Sequence, residues 1–185
     1  GVDDSGQEVA RGGNVWAVNG IEIMAGGTIS QSPLSALEVD ATAWGARSAT
    51  IPSQLTLNAG SDLQLFGLVR SLDAGSDLQL TAGGQVLIDG LVTAPDQVTI
   101  TGGTNASGYG IIVMPSVLDP ITEERVSGGE VRTSADGVLV LQATGGILLQ
   151  GLVGSAQTNE SGTLADALTV SITSTSGPVT IENRV

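Results

Sequence analysis

A pattern of fifteen residues recurs along this chain and leaves few folds open to it. It reads Leu-x-Leu-x-Ala-Gly-x-x-Leu-x-Leu-x-Gly-Leu-Val from Leu55 to Val69, and returns with small variations from Leu78 to Val92 and from Leu139 to Val153. A looser copy spans Val98 to Ile112, and a partial one runs from Ile21 to Ile29. Repetition at about twenty residues marks a solenoid, whose units stack on their neighbours instead of folding alone. Within the unit the apolar residues are spaced by two, which is the period of a strand.

Each unit opens on an apolar pair flanking a mostly polar or small residue: Leu55 and Leu57, Leu78 and Leu80, Val98 and Ile100, Leu139 and Leu141, Ile21 and Ile23. That alternation describes a half-buried strand. A small-residue corner follows, at Ala59-Gly60, Ala82-Gly83, Gly102-Gly103 and Ala25-Gly26, where glycine is expected to supply a positive φ. A second short strand holds Leu63 and Leu65, Val86 and Ile88, or Ile147 and Leu149. A further glycine, at Gly67, Gly90, Gly110 or Gly151, leads to a third apolar pair. That pair is Leu68-Val69, Leu91-Val92, Ile111-Ile112 or Leu152-Val153. Three strands and two corners per unit predict an all-β, right-handed parallel β-helix with about 20–23 residues per coil and loop insertions.

Composition agrees with a narrow interior. Hydrophobic residues make up 41% of the 185 but aromatic residues only 2%, so the core must be aliphatic. The 27 glycines exceed the usual share of about 7%, as repeated tight corners require. The formal net charge is −13, with six basic residues (all Arg) and no His. That balance excludes nucleic acid as a partner, because phosphate binding needs clustered positive charge. With no Cys, disulfides and thiolate chemistry are excluded. No apolar run approaches the ~18 residues of a membrane span.

The chain reads as one β-solenoid segment, residues 1–185, of a longer protein. The stretches 33–53, 113–137 and 154–167 break the rhythm and are read as degenerate coils or loop excursions. Pro115, Pro120 and the charged run Glu123-Glu124-Arg125 favour an excursion in the second. A longer echo pairs Gly12–Ile23 with Gly128–Val140, setting Gly20-Ile21 against Gly137-Val138. It suggests a super-repeat with a boundary near 116–128.

Chemistry is sparse. Polysaccharide-cleaving sites need carboxylates paired a few ångström apart. Asp62 shares its repeat position with Gln85, Asn105 and Gly146, and Asp89 shares its own with Phe66, Tyr109 and Gln150, so no acidic column forms. The nine-residue spacing of a calcium-binding β-roll is absent. AGSD at Ala59–Asp62 and Ala74–Asp77 and SADG at Ser134–Gly137 read as turns that Asp caps. Surface calcium is possible but has no motif behind it. Trp16, Trp44, Phe66 and Tyr109 are scattered and form no row of exposed rings. The expectation is therefore no catalytic, cofactor-binding or metal-ligating residue, and no enzyme.

The blocks LTLNAGSDLQLFGLV and LQLTAGGQVLIDGLV resemble the repeats of filamentous-haemagglutinin-type exoproteins, over residues 21–30, 55–112 and 139–185. The secretion-directing N-terminal domain of that family is not evident. The resemblance implies a rod without catalysis, at the outer surface of a Gram-negative bacterium or outside it, acting in adhesion or in assembly of a surface filament or sheath. Its implied partners are copies of itself, or a glycan or protein receptor on a cell surface. A polysaccharide-binding or polysaccharide-degrading β-helix is the alternative from a different class.

Overall fold

Alternating strands with short glycine corners can satisfy their backbone only by pairing with the same strand of the next unit, and the computed structural model shows that pairing. It describes residues 13–40, 53–118, 125–134, 136–155 and 169–182. Coil 1 is β1 (Asn14–Ala17), β2 (Gly20–Ala25) and β3 (Ile29–Gln31). Coil 2 is β4 (Ala36–Val39), β5 (Gln54–Ala59) and β6 (Leu63–Leu65), and coil 3 is β7 (Leu68–Ser71), β8 (Asp77–Ala82) and β9 (Val86–Ile88). Coil 4 is β10 (Leu91–Thr93), β11 (Gln97–Gly102) and β12 (Tyr109–Val113). A hairpin of β13 (Val117–Leu118) and β14 (Arg125–Ser127) leaves the stack between coils 4 and 5 without separating them. Coil 5 is β15 (Glu130–Thr133), β16 (Val138–Ala143) and β17 (Gly146–Leu149), and coil 6 is β18 (Leu152–Ser155), β19 (Thr169–Ser174) and β20 (Val179–Ile181).

First strands, second strands and third strands each form one six-stranded sheet, called I, II and III, in the order of the coils. All pairs within them are parallel. The fold is a parallel β-helix, as the repeat predicts. At about 4.8 Å per coil, six coils span on the order of 25–30 Å.

Register turns the alternation into columns. Ile23, Leu57, Leu80, Ile100, Leu141 and Ile172 stack in sheet II, one per coil. Leu65, Ile88, Val113 and Leu149 stack in sheet III, and Val69, Val92, Val131 and Val153 in sheet I. The interior members of these columns are buried, and no aromatic ring joins them among the described residues. Each fully buried aliphatic side chain contributes roughly 1.5–3 kcal/mol of transfer free energy.

Several expectations need correction. The corner glycines do not supply a positive φ; among the described glycines only Gly20, Gly75, Gly108 and Gly128 have φ above zero, and Gly20 is nearly extended. Past the first coil, where a Cβ on Gly26 would meet nothing within 4 Å, they are glycine because the coils approach each other too closely for a side chain. A Cβ on Gly83 would lie 2.4 Å from the Gly60 carbonyl oxygen, and one on Gly90 1.9 Å from that of Gly67. The Gly67 carbonyl also carries the ladder through its corner, accepting from Leu91 N at 3.0 Å, and Gly90 O in turn accepts from Glu130 N at 2.9 Å. The fourth member of this glycine column is Gly129, not Gly110.

The looser copy is the reason. Its first corner runs 103–108, where the equivalent corner of coil 3 runs 83–85. Tyr109–Val113 is therefore the second strand of its unit, with Ile111 and Ile112 opposite Val86 and Leu87, and not the third apolar pair. The true third strand, β15, follows the hairpin. Of the expected excursions, 113–137 thus contains both a hairpin and a strand of sheet I. Stretch 33–53 contains β4, and 154–167 begins inside β18; residues 41–52 and 156–168 lie outside the described residues. The longer echo joins coils 1 and 5, but register sets Gly20, not Ile21, equivalent to Val138. The boundary region 116–128 coincides with the hairpin.

Candidate functional site

Outward-facing residues and corners are where such a rod can meet another molecule. Two places combine a depression with polar or aromatic chemistry.

The first lies between the hairpin and the corner that joins sheet III to sheet I. Met114 N donates to Ile88 O at 2.8 Å, so the chain leaves β12 still on the ladder. Ser116 then pins the neck: its Oγ donates to Gly129 O at 2.5 Å and accepts from Leu152 N at 3.2 Å. Gly128 closes the hairpin at φ 92°, a conformation that favours glycine. The antiparallel pair β13–β14 overhangs an open cleft of about 430 Å³, lined by Pro33, Phe66, Asp89, Pro115, Val117 and Ser127. Phe66 and Asp89 are neighbours here, because the two residues follow β6 and β9 on adjacent coils. A ring and a carboxylate side by side can hold a ligand with an apolar face and hydroxyl donors.

The column through Phe66 and Asp89 continues to Met114, Gln150 and Glu182, and Gln150 Nε2 donates to Glu182 Oε2 at 2.7 Å. Tyr109 does not belong to it. Tyr109 pairs with Gly146, and its ring lies so close that a Cβ on Gly146 would sit 2.8 Å from Tyr109 Cδ1. In the other expected column Asp62 stacks on Gln85, with Asp62 Oδ1 accepting from Gln85 N at 2.8 Å. Asn105 lies in the lengthened corner, where its Oδ1 accepts from Ser107 N at 2.8 Å. Trp16 ends sheet I, and Trp44 lies outside the described residues.

The second place is the outer face of sheet II, a shallow groove of about 270 Å³ lined by Gln54, Thr56, Asp77, Gln79, Gln97 and Thr99. Asp77 stands between Gln54 and Gln97 in the column that precedes the first apolar residue of each unit. Partial burial, and then the negative charge of Asp96 on the next coil, push the Asp77 carboxyl above the usual carboxylate range. These two acids come together across adjacent coils, which the repeat positions considered in sequence did not include. The available signal was the residue just before Leu78, one place ahead of the fifteen-residue unit.

A third polar group is internal. Ser53, Ser71, Asp73 and Ser76 are all buried where sheet I turns into sheet II. Ser53 Oγ donates to Asp73 Oδ2 at 2.5 Å and lies 3.0 Å from Ser76 Oγ and 3.3 Å from Ser71 Oγ. Its members satisfy one another, which suits a structural plug.

Among the described residues no three acidic side chains converge on a point that could hold a metal ion. Ion pairs decorate sheet I, Arg70 with Glu38 across coils and Arg132 with Glu130 within a strand. No family model, curated protein or solved structure matches this chain.

Proposed function

We propose that this chain is a structural rod segment of a large bacterial cell-surface or secreted protein. It works at the outer surface of a Gram-negative cell or outside it, in adhesion or in the assembly of a surface filament or sheath, and performs no catalysis. The observation that carries this reading is the continuity of the three ladders: sheets I, II and III each pass through all six coils without a break. A stack of that kind transmits load along its axis and presents loops at fixed intervals, while its sealed aliphatic interior leaves no room for a substrate. The net charge of −13 fits a long surface held apart from its like. Antibodies raised against the chain test it on source cells. Labelling of intact, unpermeabilised cells is the expected result; labelling only after permeabilisation refutes it.

A polysaccharide-binding or polysaccharide-degrading β-helix is the second reading, favoured by the neighbouring Phe66 and Asp89 and by the Asp77–Asp96 pair. Glycan-array binding lost in Phe66→Ala, or release of reducing ends lost in Asp77→Asn, would favour it over the rod.

A further inference from the structure

The lining of the hairpin cleft divides into two kinds of surface. Pro33, Pro115, Val117 and the ring of Phe66 are apolar, while Asp89 and Ser127 offer oxygen. Among the described residues no group donates a hydrogen bond to the Asp89 carboxylate. The described arginine side chains are engaged elsewhere, Arg70 with Glu38 and Arg132 with Glu130. A half-buried carboxylate beside a half-buried ring therefore stands uncompensated, in a chain of net charge −13 with no Lys and no His.

The hairpin wall of this cleft is fixed. A Cβ on Gly128 would lie 2.0 Å from Pro115 O, and one on Gly129 2.3 Å from Ile88 O. The returning arm of the hairpin thus rests directly on the departing arm and on coil 3. With the two Ser116 bonds, this contact holds Pro115 and Val117 in place before any ligand arrives, so binding has little to order.

Chemistry narrows the occupant. Ser127 is the only side-chain donor in the lining, so a sugar, whose oxygens also accept, is poorly matched. A guanidinium presents only donors, forks onto a carboxylate with two of them, and stacks its plane on an aromatic face. Phe66 and Asp89 follow paired strands on adjacent coils, ~4.8 Å apart, and a cation gains from a ring within ~6 Å of it. One guanidinium therefore reaches both, while the prolines and Val117 cover its methylene stem. We propose that the cleft takes up an arginine side chain from a segment of another protein, stacked on Phe66 and paired with Asp89. The proposal rests on the rod reading and names the partner that the rod holds.

Titration of the isotope-labelled 18.5 kDa chain with an acetylated, amidated Gly-Arg-Gly peptide tests it by NMR. The peptide is added up to about 5 mM, against an expected Kd of about 1 mM. Amide shifts are expected at Phe66, Asp89 and Ser127, with an affinity that falls several-fold between about 20 and 300 mM NaCl. Phe66→Ala and Asp89→Asn should each weaken binding at least about fivefold, and Phe66→Tyr should keep it. The same peptide with citrulline, which has the shape of arginine without its charge, should not bind. If circular dichroism shows Asp89→Asn unfolded, Asp89→Ser replaces it under the same criteria. Citrulline that binds as well as arginine, variants that bind like the wild type, or no shift at the highest concentration overturns the proposal. A neutral glucose oligomer that shifts these amides where the arginine peptide does not overturns it in favour of the polysaccharide reading. A chain that labels at the cell surface but binds no peptide sinks the arginine site alone; absent surface label sinks the rod reading.

Discussion

Replacing Gly90 by Ala separates two explanations of a corner glycine. If glycine were there for its backbone freedom, alanine would be tolerated, because Gly90 has no positive φ. If it is there for want of space, alanine must fail. The added Cβ would lie 1.9 Å from Gly67 O and 2.8 Å from Gly67 N, and both are backbone atoms held in the ladder. Ordinary contact needs the coils to part by more than 1 Å at this corner. That strains the 3.0 Å bond from Leu91 N to Gly67 O and the 2.9 Å bond from Glu130 N to Gly90 O, each worth about 1 kcal/mol net. Overpacking adds about 1–3 kcal/mol. Alanine's smaller unfolded-state entropy returns about 0.4–1 kcal/mol. The net cost is about 3 kcal/mol, or a Tm lower by roughly 6–12 °C for a chain of this size. Gly26→Ala is the control: it is the first-coil member of the other corner column and has no atom within 4 Å of the added Cβ. It should leave Tm unchanged or raise it slightly. Thermal melts followed by circular dichroism at low protein concentration decide the matter. A Gly90→Ala variant within 1 °C of wild type, or a Gly26→Ala variant as damaged as Gly90→Ala, refutes the reasoning.

Leu80→Ala, in the middle of the sheet II column between Leu57 and Ile100, should cost about 3–5 kcal/mol in urea denaturation; less than 1 kcal/mol would mean the column is not the core. The Asp77 carboxyl is raised by burial and by Asp96, so the folded state holds its proton more tightly than the unfolded state does. Asp77 therefore takes stability away as pH rises through the window between its ordinary and its raised value, and adds none above it. Asp77→Asn should raise the urea midpoint at pH 7 and do so much less near pH 3, and a larger gain at pH 3 would contradict the sign. Deleting residues 78–97 removes one whole coil, since Leu78 and Val98 are equivalent. The shortened chain should fold and lose about 4.8 Å of length by small-angle scattering, whereas unfolding would show that coils 3 and 4 are not interchangeable.

The spacing of apolar residues by two, and their return at twenty-odd residues, were enough in the sequence to settle the strands, the coils and the aliphatic column of sheet II, but not the column of sheet I, where Val131 stands in place of the expected Ile111-Ile112 pair. Both signals are local, since alternation depends only on which face a side chain takes. The register between coils depends instead on the length of every corner, and these vary. That is why Tyr109 was aligned with Phe66 in the repeat but lies against Gly146, and why Gly129 rather than Gly110 completes the glycine column. Phe66 and Asp89 already shared a repeat position in the sequence; tertiary structure alone set the hairpin beside them, and made Asp77 a neighbour of Asp96. It also decided what the corner glycines are for, because the carbonyl that forbids a side chain there belongs to a different coil, some twenty residues away in sequence.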